Sequence, residues 1–325
     1  TIMAKTNKQL YSQIMKQVRG ANRILLHLHP RPDGDSVGSA LAFYHVLKQL
    51  KKKVEIIAGD SPPPQFLSHL PGFKYIKPQT FFQTDLDRFD LFVILDSADI
   101  NFISSLNTII FPPHLKTIAI DHHDTNPGFA QINLIDTTVP ATAQIIYYLF
   151  SSEKIKINKS AAICLLAGIY TDSQFKYPKT SWKTFTATSK LSKIYPKFSS
   201  LFSKIDNNNT PQAIKLTGLL LSSVETFLEK HLAIAAISHQ QLKKNHLAPS
   251  DGKGISVVNL LKSVVGWDIT VTLVEVKPGL VKASFRTRQP QKYNLAKIAS
   301  AIGNGGGGHP AAAGSTLNAT LEPAK

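Results

Sequence analysis

Eight side chains able to ligate a metal or move a proton stand at the ends of apolar runs: His29, Asp33, Asp35, Asp96, Asp121, His122, His123 and Asp172. The first three belong to His-Pro-Arg-Pro-Asp-Gly-Asp-Ser-Val-Gly-Ser, residues 29–39, which brings one imidazole and two carboxylates together. Asp33 and Asp35 could face one ion or two neighbouring ones. Asp121-His122-His123-Asp124 sets four ionisable residues in a row. Oxygen and imidazole donors without cysteine suit manganese or magnesium better than a structural zinc. Two such ions about 3.5–4 Å apart, sharing one carboxylate, activate water and clamp a phosphoryl oxygen. Each cluster taken singly also suits a turn with a helix cap. Recurrence at four successive element ends favours a site.

The elements that must position these residues are legible as patterns. Arg23-Ile-Leu-Leu-His-Leu has the length and branching of a buried strand, and Ser39 to Leu50 carries apolar residues at helical spacing, which places His29, Asp33 and Asp35 in a strand-to-helix loop. Strands are expected at 51–58, at 89–95 before Asp96, at 116–120 before Asp121, and at 133–136. A carboxylate directly after an apolar strand is expected at its tip, because burial inside the core is costly. Helices are expected at 6–20, near 65–70, at 141–150 and at 159–170, the last running into Thr171-Asp172-Ser173. Strands alternating with helices predict an α/β fold with a doubly wound, mainly parallel sheet, whose ligands bind at the carboxyl ends of the strands. From Ser181 to about Glu229 the pattern is helical and polar. Beyond it, strands at 232–238, 267–276 and 281–287 and helices at 254–265 and 294–302 predict a smaller α+β domain.

Composition narrows the function. A chain of 325 residues suggests two domains. No run of about 18 uncharged apolar residues is present, so no membrane span is expected. Thr1 to Lys8 lacks a signal-peptide apolar core, and Met3 is a candidate natural start. The single cysteine, Cys164, excludes an intramolecular disulfide and a cysteine zinc cluster, which fits a cytoplasmic protein. Lys and Arg number 37 against 21 Asp and Glu, and this excess favours anionic partners, nucleotides or nucleic acid first.

Gly305-Gly306-Gly307-Gly308-His309 follows the last long helical pattern and runs into Pro-Ala-Ala-Ala-Gly. Its glycines read either as a flexible linker or as a nest of backbone amides for an anion, with His309 as a donor. Arg286 and Arg288, closing the last strong strand, could meet the same phosphate or lie on the surface.

Asp121-His122-His123, with the upstream His-x-x-x-Asp-x-Asp of His29, Asp33 and Asp35, resembles the DHH phosphoesterase family, and Gly305 to Gly314 resembles the Gly-Gly-Gly-His element of its DHH-associated C-terminal domain. Size and domain pairing are most similar to the NrnA-like branch, bifunctional oligoribonucleases and 3'-phosphoadenosine 5'-phosphate (pAp) phosphatases, with cyclic di-AMP or pApA phosphodiesterases as near relatives. The resemblance implies a DHH catalytic domain over 1–187, a helical connector over 188–229 and a substrate-binding domain over 230–325. It implies two Mn2+ ions, with Mg2+ an alternative: His29, Asp33 and Asp96 on one, Asp35, Asp96, His122 and Asp172 on the other, Asp96 bridging. His123 would face the scissile phosphate and Asp121 would orient His122. Arg286, Gly306, Gly307, Gly308 and His309 would hold the far end of the substrate. Short RNA or small adenine nucleotides are the implied partners, with a homodimer as an option. A nucleotide or RNA sensor that kept the fold without catalysis is the contrasting class. The chain departs from the family pattern at Asn101-Phe102 and at Ser173 to Lys176, where arginines are common.

Overall fold

A computed structural model of the chain describes residues 2–252 and 256–325. It divides into two units, Thr1–Asn207 and Asn208–Lys325. The division falls inside the stretch expected as a connector.

In the first unit the chain runs through α1 (Ile2–Gly20), β1 (Arg23–His27), α2 (Gly34–Gln49), β2 (Lys53–Ile57), β3 (Ile76–Lys77), β4 (Leu91–Leu95), β5 (Lys116–Asp121), β6 (Ile132–Ile135), α3 (Thr142–Ser152), α4 (Lys159–Ser173), α5 (Trp182–Ile194) and α6 (Phe198–Asp206). The strands form one sheet in the order β3-β2-β1-β4-β5-β6, and every pairing is parallel. Branched and aromatic residues buried on both faces make the central segments β1, β4 and β5 strands. Chain order reverses between β1 and β4, so the carboxyl ends of those strands flank the crevice where such sheets bind ligands.

One face of the sheet carries Ile24, Leu26, Val93, Leu95 and Ile120 beneath α1 to α4. The opposite face sets Leu25, Phe92 and Ile94 under Phe81, Ile103 and Ile109, which come from 3-10 turns and loops rather than α-helices. The helix expected at 65–70 is likewise a 3-10 turn, Gln65–Leu67. Helix α2 begins at Gly34, well before Ser39, because the Asp33 carboxylate caps it: Asp33 Oδ1 accepts from the amides of Asp35 and Ser36, each at 3.0 Å. Asp35 therefore rides in the first helical turn, not in the loop. A Cβ on Gly38 of α2 would stand 2.6 Å from the Cys164 carbonyl of α4, and one on Gly168 would stand 2.7 Å from Asp35 Oδ1. Only glycine lets these helices close so near the carboxylate.

The second unit contains α7 (Pro211–Ser222), β7 (Glu225–Phe227), β8 (Leu232–Ile237), α8 (His239–Lys244), α9 (Val257–Lys262), β9 (Ile269–Lys277), β10 (Leu280–Thr287), α10 (Leu295–Ile302), β11 (Asn304–His309), β12 (Ala312–Leu317) and α11 (Leu321–Ala324). The helix expected at 254–265 starts partly in residues outside those described, and α9 is shorter than expected. The sheet order is β11-β12-β10-β9-β8-β7, antiparallel except for β8 beside β9. The glycine run is its edge strand rather than a linker: a Cβ on Gly306 would stand 1.9 Å from the Ala299 carbonyl of α10. Among the described residues no helix is long and apolar enough to cross a membrane.

Candidate metal centre

The carboxyl ends of β1, β4 and β5 and the adjoining ends of α2 and α4 bring seven of the predicted residues together. Three groupings place ligating atoms within 4.8 Å of one another: His29, Asp33 and Asp96; Asp35, His122 and Asp172; and Asp96, His122 and His123. Asp96 lies at the centre. Its Oδ2 is 3.7 Å from His29 Nε2, and its Oδ1 is 3.5 Å from His122 Nε2. On either side, His29 Nε2 is 3.7 Å from Asp33 Oδ1, and His122 Nε2 is 3.5 Å from Asp172 Oδ2. One carboxylate thus turns an oxygen toward each donor group.

Local structure aims these side chains. Asp96 directly follows β4 with φ +55°, a left-handed conformation unusual outside glycine, and its amide is held by the Ile120 carbonyl at 3.0 Å. Thr142 Oγ1 donates to Asp96 Oδ1 at 3.1 Å. The first amides of α3 fix Asp35, Thr142 N donating to Oδ2 at 2.6 Å and Ala143 N to Oδ1 at 2.9 Å. Asp172 sits in the last turn of α4 rather than beyond it. Phe102, at one of the departures from the family pattern, presents its ring edge to His29 with centroids 6.1 Å apart and lies 6.4 Å from His123.

Asp121 departs from its expected role. Its Oδ1 accepts from Nδ1 of His123 at 2.7 Å, while Asn126 Nδ2 donates to its Oδ2 at 2.8 Å. Asp121 orients His123, not His122, because residues two apart in extended chain share a side and neighbours do not. Both ring nitrogens of His122 are buried without a hydrogen-bond partner among the described residues. An orphaned, buried imidazole beside carboxylates is what a cation ligand looks like when only protein groups surround it.

Charge supports the same reading. Burial, then the nearby Asp96, pushes the Asp35 carboxyl up to about 8. Burial followed by Asp35, Asp33 and Asp96 drives Asp172 well above the usual carboxylate range. Burial disfavours the charged form of His122, but Asp96, Asp35 and Asp121 outweigh it and hold its pKa up to about 9. Four carboxylates converge here, Asp35 and Asp96 buried, Asp172 half-buried and Asp33 exposed, and such a concentration calls for positive charge, which divalent cations supply. The donor set fits hard or borderline metal ions.

A pH dependence follows. Asp35 and Asp172 have raised folded-state pKa values and His122 does too, so without metal the folded protein holds more protons than the unfolded chain, whose values lie near 3.8 and 6.5. Their stabilisation is complete below the unfolded values and is lost as pH rises through the folded ones. Chelated protein is expected to melt at progressively lower temperature from about pH 6 to pH 9, whereas manganese should stabilise more as pH rises, because ligands must be deprotonated. Thermal melts with chelator and with metal across that window check this. A chelated protein whose midpoint climbs would contradict the proton count.

Some positioning residues carry no signal in the sequence. Asn126, Thr142 and Gly168 are ordinary letters until the fold brings them to Asp121, Asp96 and Asp35. His27 is a further buried imidazole on β1, with Nε2 3.4 Å from Ser97 Oγ and its pKa depressed by burial to about 3. It packs edge-on against Phe92 and lies outside the ligating groups.

In the second unit, Arg286 pairs with Ala312 and Ala312 with His309, which puts Arg286 and His309 on one face of the sheet. Lys282 and Ser284 share that face along β10, and a cavity of about 550 Å3 is lined by all three β10 residues together with Thr272. Edge strand β11 leaves one row of backbone groups without a neighbouring strand.

Residues 23–169 match the N-terminal domain of the DHH family, and residues 250–324 match the DHHA1 domain. The bifunctional oligoribonuclease and PAP phosphatase NrnA of Thermus thermophilus is 30% identical over 311 residues, covering 95% of this chain and 88% of the relative. Its namesake from Bacillus subtilis is 26% identical, covering 94% and 93%. Among solved structures, an exopolyphosphatase-related protein from Bacteroides fragilis superposes with a TM-score of 0.85 at 24% identity, over 97% of this chain and 93% of the other.

Proposed function

The chain belongs to the DHH family, and on that premise we propose that it hydrolyses short oligoribonucleotides and pAp in the cytoplasm, using two Mn2+ ions for which Mg2+ can substitute. The observation that carries this reading is the divided carboxylate of Asp96, one oxygen 3.7 Å from His29 and the other 3.5 Å from His122. His29, Asp33 and Asp96 would hold one ion, and Asp35, Asp96, His122 and Asp172 the other. Such ions supply Lewis-acid charge at phosphoryl oxygens and acidify water. The names of the relatives supply the substrate class, and a single buried cysteine suits a reducing compartment.

The chain's own groups divide the remaining work. His123, held by Asp121, donates to the phosphate. Arg286, His309 and the amides of Gly306, Gly307 and Gly308 hold the part of the nucleotide away from the bond being cut, so remote binding contributes to rate by orientation.

The test compares three substrates with manganese present: a diribonucleotide, pAp and a small chromogenic phosphodiester that lacks a nucleoside. Wild-type protein should turn over the first two. Tight binding of nucleotides with no turnover of these or of cyclic dinucleotides would make the protein a sensor. Arg286→Ala should lower nucleotide cleavage roughly ten- to a hundredfold, the loss of a charge-assisted bond of about 1.5–3 kcal/mol, and His309→Ala should lower it in the same direction. Both should leave metal content and chromogenic hydrolysis intact. Equal loss on all three substrates would place these residues in the catalytic centre, and no loss on any would withdraw them from the site.

A further inference from the structure

Between Asp172 and Asp206 the chain carries seven lysines and no acidic residue: Lys176, Lys179, Lys183, Lys190, Lys193, Lys197 and Lys204. Aromatic residues are interleaved with them. Trp182 is 72% exposed and Phe185 53%, both on α5, and Tyr177 just ahead is 38% exposed. Large exposed rings in a short basic segment need a reason, because burial would ordinarily stabilise them. Lys183, Lys190 and Lys193 lie on the solvent side of α5, and none pairs with a carboxylate among the described residues.

The segment is anchored at the metal centre. Lys179 Nζ reaches Asp124 Oδ1 at 3.0 Å, two residues beyond His122. Phe175 stacks on Phe185 with ring centroids 5.6 Å apart, fixing the first turn of α5 to the segment that leaves Asp172. A groove of about 900 Å3 opens beside Trp182 and Lys183, lined also by Tyr11, Asp136, Tyr148 and Ser152. Its aromatic walls, carboxylate and hydroxyls suit a nucleoside.

We propose that Trp182, Lys183, Lys190 and Lys193, with the groove beside them, form a track for single-stranded RNA that leads away from the metal centre and holds nucleotides beyond the two that flank the bond being cleaved. This rests on the phosphoesterase reading above. Ring faces accept any base by stacking and lysines follow the backbone, so the track is indifferent to sequence. At about 1.5 Å per residue, α5 extends roughly 20 Å, room for several nucleotides. Lys183, Lys190 and Lys193, none paired with a carboxylate among the described residues, favour a polyanion over a second copy of this basic chain.

The test measures binding of a labelled ten-nucleotide RNA by fluorescence anisotropy in chelator, where nothing is cleaved, and turnover of a diribonucleotide with manganese. Trp182→Ala should weaken decamer binding about tenfold, the worth of one stacked base, and leave diribonucleotide turnover unchanged. A triple Lys183→Ser, Lys190→Ser, Lys193→Ser variant should flatten the dependence of log affinity on log salt by roughly two, at about 0.7 per phosphate contact. All four side chains are exposed, so both variants should melt as wild type does. Unaltered decamer affinity, or diribonucleotide turnover falling in step with it, would overturn the track while leaving the phosphoesterase reading untouched. If the wild type cleaves no dinucleotide but the decamer effects appear, that reading fails and the track stands. A dimer that Trp182→Ala dissociates in sedimentation, or affinity for anionic vesicles that it abolishes, with RNA affinity unchanged, would assign the surface to another occupant and overturn the proposal.

Discussion

Asp96→Asn is expected to lower turnover by about a thousandfold, equivalent to roughly 4 kcal/mol of transition-state stabilisation, while altering substrate affinity far less. The side chain is 2% exposed, and its oxygens face separate donor groups on opposite sides. Asparagine preserves the shape and can keep the bond from Thr142, so the strained turn after β4 should survive. What it removes is one negative charge and one of two acceptor oxygens. Whichever way the amide turns, one donor group loses one of its anionic members and meets an N–H instead. Turnover at saturating manganese, metal content by elemental analysis and a thermal melt separate the alternatives. Near-wild-type rate would remove Asp96 from the shared position. A large loss of melting temperature would mean that the variant reports on folding rather than chemistry.

The residues of this centre were legible because strand tips are. A parallel sheet buried on both faces excludes carboxylates from its interior, so an acidic residue directly after an apolar strand must lie at its end, which places Asp96 and Asp121, while Asp172 is placed by the end of the apolar helical run before it. Element starts were less legible. Asp33 was read as a loop ligand, yet its carboxylate also caps α2 and moves the helix start to Gly34, a bond that helical spacing from Ser39 onward does not reveal. Partner choice was hidden as well. The order Asp121-His122-His123 does not say which imidazole the carboxylate takes. The pairing depends on how the chain leaves β5 and on Asn126 arriving from the following turn. Gly305 to Gly308 left linker and anion nest both open from composition. The close approach of Gly306 to the Ala299 carbonyl explains why side chains are absent there, and no local pattern encodes that contact.

His123→Ala should reduce turnover about a hundred- to a thousandfold without removing bound metal, the loss observed when one donor to a developing oxyanion is deleted. His123 Nδ1 donates to Asp121 Oδ1 at 2.7 Å, and Asp121 is 1% exposed with its second oxygen taken by Asn126. That arrangement fixes the ring and leaves Nε2 directed away from Asp121. Burial works against protonation of His123, but the bond to Asp121 and its charge prevail, so the pKa is raised and the imidazolium persists toward neutral pH. A cation with one free N–H suits the negative charge that gathers on a phosphoryl oxygen. Rate should therefore fall as pH rises through the His123 pKa. Asp121→Asn removes the group that raises this pKa, so the descending limb should move to lower pH, with a rate loss of about ten- to a hundredfold. His123→Asn, which retains a donor but cannot become a cation, should recover part of the alanine loss and show no limb from this residue. His123 also falls within 4.8 Å of Asp96 and His122 in one ligating group, so elemental analysis decides its role. If the alanine variant loses one equivalent of metal and regains activity with excess manganese, His123 is a ligand, and the phosphate must find its donor elsewhere.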